Sequence, residues 1–142
     1  MLQVKHLLDG KGRSVFAIAP GEPVLAAIRM MAERGVGALL VLEGEALVGV
    51  ISERDYARKI ILNNRSSSDT PVRDVMSTAV ITVAPGDGVD TCMRLCTDSR
   101  VRHLPVVDGG KVVGVVSIGD LVKAVISEQG EQIEQLHRYI AG

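Results

Sequence analysis

VGALLVLEGEALVGVISERD (Val36 to Asp55) and VRHLPVVDGGKVVGVVSIGD (Val101 to Asp120) are two copies of one unit, and aligning them decides the fold. A shift of 65 positions lays the chain on itself without a gap from Ala17 to Asp55, and 14 of those 39 positions are identical. AIAPGEPV (Ala17 to Val24) falls on TVAPGDGV (Thr82 to Val89) in the same register. Most other positions exchange like for like, so the chain is an internal duplication.

Each copy reads in the same order. A Pro-Gly turn at Pro20 or Pro85 leads into a helix, Val24 to Arg34 or Val89 to Ser99. Val24, Ala27, Ile28 and Met31, like Val89, Cys92, Met93 and Cys96, have the spacing that makes one buried helical stripe. Two short β-branched runs follow: Ala38 to Leu42 with Leu47 to Ile51, and Leu104 to Val107 with Val112 to Val116. Glu43-Gly44-Glu45 and Asp108-Gly109-Gly110 between them are hairpin signals. A second helix is predicted just after Ser52 and just after Ser117. A strand at Val15 to Ile18, and its counterpart at Val80 to Val83, precedes each unit. The fold class is therefore α/β (α+β): two pseudo-twofold-related repeats, each a short three-stranded sheet with two helices. Neither sheet is covered alone, and packing the repeats together buries both.

Composition limits what such a chain does. Formal net charge is −1, with no basic run, which argues against nucleic acid as a partner. The N-terminus lacks the apolar stretch of a signal peptide, and no window holds the roughly 18 uninterrupted apolar residues of a membrane span. A cytoplasmic protein is the default expectation. Only Phe16, Tyr56 and Tyr139 are aromatic, so the core is built from aliphatic residues. Cys92 and Cys96 match Ala27 and Met31 of the first copy, which marks them as core positions ahead of a metal or redox pair.

Both copies carry Gly-hydrophobic-hydrophobic-Ser-x-x-Asp, as Gly49 to Asp55 and Gly114 to Asp120. Ser followed three residues later by an acid, between strand and helix, is a capping box, and that role alone would justify Ser52, Asp55, Ser117 and Asp120. The duplicated order of helix, two strands and helix with this motif nevertheless resembles the cystathionine-β-synthase (CBS) domain pair, or Bateman module. HLPVVDGGKVVGVVSIGDL and MSTAVITVAPGDGV carry the likeness in the second copy, and SERDYARKI resembles free-standing bacterial signal-transduction pairs. The resemblance runs from about Val4 to Ile126.

That resemblance implies a regulatory site, in the cleft between the repeats, for AMP first, then ADP, ATP or NAD, with S-adenosylmethionine less favoured. Asp55 and Asp120 would bind the ribose hydroxyls, with Ser52 and Ser117 beside them. A fixed carboxylate accepts from both hydroxyls of a cis-diol, and a helix N-terminus welcomes phosphate. The adenine would lie against Phe16, Ala17 and Ile18, or Ile81, Thr82 and Val83, with Ala38 and Pro105 near the hairpin strands. Each of these positions is equally an ordinary core strand residue. Phosphate would meet Arg102, His103, Arg54 and Arg58. Arg102 and His103 match Gly37 and Ala38, so the fold did not require a basic pair there, whereas Arg58 can equally be a solvated helix face. Ile118-Gly119 replaces Glu53-Arg54 in the second motif, so a ligand there must borrow charge from elsewhere.

Neither the three dispersed histidines nor any HExxH, GxSxG, GxxxxGK or GxGxxG motif indicates catalysis, and no catalytic cofactor is expected. The alternative is a ligand-free dimerisation and docking module. Residues 1–62 are assigned to the first repeat with its N-terminal segment, 63–70 to a flexible polar linker, 71–127 to the second repeat, and 128–142 to a separate amphipathic helix. Its Ile133, Leu136 and Ile140 would face the domain itself or a second subunit, and a homodimer acting on an unidentified regulated protein is the expected assembly. Val4 to Leu8 is expected as a short helix covering the sheet edge.

Overall fold

The spacing of three and four forms a helix in both copies at the predicted residues, α2 (Val24–Arg34) and α4 (Val89–Ser99). We describe the protein from a computed structural model that covers residues 2–141, with side chains up to Arg138. The remaining elements are α1 (Val4–Lys11), β1 (Ala17–Ile18), β2 (Ala38–Glu43), β3 (Ala46–Ser52), α3 (Glu53–Tyr56), β4 (His103–Asp108), β5 (Lys111–Ser117) and α5 (Ile118–Ala141). Mixed α/β structure with two helix–hairpin–helix repeats is what the duplication required.

The chain divides into two units. Ser14–Ile81 and the hairpin tip Gly109–Val112 form the first, and the N-terminal segment through Arg13 joins Thr82–Asp108 and the chain from Val113 onward in the second. In the first unit β1 pairs parallel with β2 and β2 antiparallel with β3, in the order β1-β2-β3. Its core gathers Val24, Ala27 and Met31 of α2 with Leu39, Val41 and Ile51 of the sheet and Val72 and Val75 beyond it. Complete burial of each aliphatic side chain is worth about 1.5–3 kcal/mol. The second unit repeats the arrangement with Val89, Cys92 and Cys96 of α4, Leu104 and Val106 of β4, Val116 of β5 and Leu121 of α5, all buried. Both cysteines are buried free thiols. Burial, with lesser contributions from Asp87 and Cys96, pushes the Cys92 thiol up to about 11, so it stays protonated.

Four expectations need correction. The strand expected at Val80 to Val83 does not form, and a single parallel bridge joins Val83 to Val106. The reason is Pro105. In the first copy Leu40 N–H donates to Phe16 O at 3.1 Å. Pro105 stands at the matching position and has no N–H, so that rung of the ladder is lost. The second unit's sheet therefore has two strands, β4 and β5.

The segment Asn63 to Thr70 is not a free linker. Thr70 is buried, its hydroxyl donates to Ser66 O at 2.7 Å, and Ser67 O and Thr70 O accept from Leu25 N and Val24 N at 3.0 and 2.9 Å. The segment thus satisfies backbone donors at the start of α2, where Pro23 supplies no side-chain cap.

The tail is not a separate helix either. α5 runs unbroken for 24 residues through Gly130. Ile133 and Leu136 are exposed on it, and Ile140 lies outside the residues whose side chains are described. Its first-copy counterpart is much shorter, with α3 passing after four residues into a π-helical turn, Ala57–Ile61.

Finally, the N-terminal segment packs in the second unit rather than with the first repeat. Gln3 bridges to Gly88, Val4 N donates to Asp87 O at 2.9 Å, and Lys5 N donates to Pro85 O at 2.9 Å. Leu8 sits over the face of β5, where a Cβ on Gly114 would lie 2.6 Å from its Cδ2. In the first unit Met76 takes the equivalent place, its Sδ 2.6 Å from where a Gly49 Cβ would be. Each glycine is thus required by the close approach of a lead-in segment, the Leu8 side chain at Gly114 and Met76 with the Ser77 backbone oxygen at Gly49, and not by its own backbone conformation.

Candidate functional site

Ser52 ends β3 in extended conformation and caps α3. Its Oγ accepts from Asp55 N at 3.2 Å, while Asp55 Oδ2 accepts from Ser52 N at 3.0 Å and Ser52 Oγ at 3.1 Å. Ser117 and Asp120 repeat this at the β5–α5 junction: Ser117 N donates to Asp120 Oδ2 at 2.8 Å and Asp120 N to Ser117 Oγ at 3.1 Å. Both motifs are therefore reciprocal capping boxes. What differs is the traffic around each acid.

Asp55 is lightly engaged beyond its cap. Lys59 Nζ stands 3.5 Å from Oδ1, and it is already donating to Val75 O at 2.8 Å. Arg54 and Arg58 are exposed on the same short helical segment, and Ala38 pairs with Ser52 across the hairpin. Glu53 N donates to Gly37 O at 3.0 Å, which ties the start of α3 to the start of β2. Ala17 is half-buried and Ile18 buried in β1. Phe16 is partly buried, with the Arg34 guanidinium 5.4 Å from its ring centroid. Because α3 has only four residues, the helix dipole expected to favour phosphate here is slight.

Asp120 is held more tightly. Lys11, the last residue of α1, lies with Nζ 2.6 Å from Asp120 Oδ2 and donates to Val115 O at 2.9 Å. Burial pushes the Asp120 carboxyl up, but the hydrogen bonds from Lys11 and Ser117 outweigh it and leave it below the usual carboxylate range. Ile118 N donates to Arg102 O at 2.9 Å, which brings Arg102 and His103 to this motif. Arg102 is exposed and His103 half-buried. Thr82 is exposed, whereas Val83 and Pro105 are buried, with Val83 N donating to Pro105 O at 3.0 Å. Each motif is thus grouped with strand residues of its own unit.

Burial lowers the His103 imidazole below its ordinary value, and the Lys11 and Arg102 cations add to this against an opposing pull from Asp120. The folded chain therefore keeps His103 neutral where the unfolded chain begins to protonate, near pH 6.5. The unfolded state binds more protons in that window, so stability falls as pH drops below about 6.5 towards the folded-state value. We expect the melting temperature to decline between pH 7.5 and 5.5, and His103→Gln to flatten that slope, measured by scanning calorimetry. An unchanged slope in the variant would mean that His103 protonates equally in both states. The depressed Asp120 acts in a separate, more acid window, with its contribution lost only as pH falls through its folded-state value.

Two features of this site escaped the sequence. One is Lys11, whose partner lies 109 residues away. The other is the lead-in pair QVKHLL (Gln3 to Leu8) and PVRDVM (Pro71 to Met76), which matches with a shift of 68 rather than 65. Val4 and Val72 are both fully buried in this register, and Leu8 and Met76 both pack on the motif glycines. A gapped self-alignment would have revealed it.

Among the described residues no helix is long and apolar enough to cross a membrane. The CBS domain profile matches residues 11–62 and 72–127. The chain is 45% identical over 148 residues to the mitochondrial CBS domain-containing protein CBSX3 of Arabidopsis thaliana, covering 98% of this chain and 72% of that protein. Among solved structures, a signal-transduction protein with CBS domains from Burkholderia ambifaria superposes with a TM-score of 0.86 at 47% identity, over 90% of this chain and 96% of that one. A more distant CBS domain pair, crystallised with 5′-methylthioadenosine and S-adenosylmethionine, shares the fold with a TM-score of 0.79 at 21% identity, over 90% and 98% of the two chains. With the domain matched twice along its length and the duplicated Ser-x-x-Asp boxes in place, this chain belongs to the CBS domain family as a tandem pair.

Proposed function

We propose that the chain is a non-catalytic regulatory module that binds an adenine nucleotide, AMP ahead of ADP, ATP or NAD, with Asp55 and Asp120 as the ribose-binding carboxylates. The observation that carries this reading is the set of cations beside each capping box, Arg54 and Arg58 near Asp55 and Arg102 and Lys11 near Asp120, where the neutral His103 adds a hydrogen-bonding group. A cap needs only the Ser and the acid. Cations around it add attraction for an anionic ligand, and a carboxylate within the set adds acceptors for a diol. The distant CBS pair crystallised with two adenosine compounds supports the nucleoside part. Cationic side chains favour a phosphate-bearing ligand over S-adenosylmethionine. Binding regulates only if ligand and target distinguish two states of the module.

A second reading, a dimerisation and docking module without ligand, is favoured by a different observation. Val122, Ile126, Ile133 and Leu136 are all exposed on α5, and Ile126 retains 62% of its accessibility. An apolar stripe of this kind calls for a partner, and a second copy is the expected one. Isothermal titration calorimetry with AMP, ADP, ATP, NAD and S-adenosylmethionine, alongside light scattering, separates the readings. Micromolar binding of an adenine nucleotide supports the sensor. A dimer that binds none of the five supports the docking module and overturns the nucleotide reading.

A further inference from the structure

Lys11 belongs to neither motif and has no counterpart at the first one: the residue at the matching place in the second lead-in segment is Ala79. Its ammonium nevertheless occupies Asp120 Oδ2, one of the two oxygens that a ribose diol needs for a bidentate contact. The same oxygen already accepts from Ser117 N. A diol that takes both carboxylate oxygens must therefore displace or share Lys11, whereas at Asp55 the nearest lysine, Lys59 four residues on, stands 3.5 Å off; each lysine also donates to a backbone carbonyl, Val115 O and Val75 O.

What the displaced ammonium meets next decides which ligand is accepted. Adenosine offers it no anion, so the ion pair is lost without replacement. S-Adenosylmethionine brings a further positive charge. A nucleotide supplies a phosphate, and Lys11, on a flexible four-carbon stem at the end of α1, exchanges one anion for another. Lys11 also provides the positive charge that the Ile118-Gly119 sequence of the second motif lacks. We infer that Lys11 is a specificity-determining residue of the second motif, setting its preference for phosphate-bearing adenosine ligands over uncharged ones by partner exchange at Asp120. The inference rests on the nucleotide reading above and deepens it.

The test is calorimetric titration with AMP and with adenosine in an Asp55→Asn background, which leaves the second motif to be read alone. We expect AMP to bind at least tenfold more tightly than adenosine. Lys11→Met keeps the apolar stem and removes the charge, and should cut that ratio tenfold or more, through weaker AMP and stronger adenosine. Lys11→Arg should restore the preference. Circular dichroism confirms folding, and in the Lys11-containing protein added KCl should weaken AMP but not adenosine, whose binding should if anything strengthen as the Lys11–Asp120 pair is screened. A Lys11→Met ratio equal to that of its parent, or no salt difference between the ligands, would reduce Lys11 to a structural clamp. If the unmodified chain binds AMP but the Asp55→Asn protein binds neither ligand, the inference falls and the nucleotide reading stands. If the unmodified chain binds neither, both fall.

Discussion

Leu8→Ala is expected to lower the unfolding free energy by about 2–5 kcal/mol, the range for truncating a large buried aliphatic side chain. Leu8 retains only 1% of its accessibility and lies over β5 at the one position where a glycine makes room for it. Gly114→Ala should destabilise as well, by about 1–3 kcal/mol, because its new Cβ would stand 2.6 Å from Leu8 Cδ2. The double variant is the informative one. With Leu8 shortened, the added methyl enters the space it vacated, so the combined loss should be smaller than the sum of the two single losses by about 0.5–3 kcal/mol. Urea unfolding of the four proteins measures this directly. Strict additivity would show that Leu8 does not rest on Gly114, and that the N-terminal helix owes its burial to other residues. At the equivalent place in the first unit, Gly49→Ala should be tolerated less well than Gly114→Ala. There the new Cβ also meets a backbone oxygen, Ser77 O at 2.9 Å, which cannot rotate away as a side chain can.

Much of this architecture was legible in the residues. The boundaries of α2 and α4 followed from the Pro-Gly turns and the apolar spacing after them, and the hairpins from β-branched runs separated by acidic and glycine residues. Cys92 and Cys96 were readable as core because Ala27 and Met31 occupy their places in the other copy. Local pattern carried these elements because each is stabilised by contacts within its own stretch of chain. Where a long-range partner decided the outcome, the pattern was silent or misleading. Val80 to Val83 is as apolar as a strand needs to be, and it fails for want of one N–H at Pro105. Asn63 to Thr70 has the composition of a linker, yet its carbonyls and Thr70 cap α2. Ser-x-x-Asp was visible twice, and so was Lys59 four residues past Asp55 where the second copy has Ala124, but nothing local reveals that Lys11 holds Asp120 at 2.6 Å from 109 residues away. Sequence symmetry therefore overstated the equivalence of the two motifs.

That inequivalence sets the second large effect. Asp55→Asn is expected to weaken AMP binding by about ten- to a hundredfold, consistent with the roughly 1.5–3 kcal/mol carried by a hydrogen bond to a charged acceptor. Asp120→Asn should cost less, because a diol at Asp120 already has to displace Lys11, and that cost disappears together with the carboxylate. The asparagine oxygen can still accept from Ser52 N, so the capping box is largely kept and the fold should survive with a loss of about 1 kcal/mol or less. Calorimetric titration with AMP measures affinity, and thermal melting of the same preparations measures the cap. A tenfold loss of affinity with a nearly unchanged melting temperature separates a ligand-binding carboxylate from a purely structural one, since a cap alone would move only the melt. Equal losses for Asp55→Asn and Asp120→Asn would instead mean that the Lys11 pair does not burden the second motif, and that the two repeats bind alike despite their different surroundings.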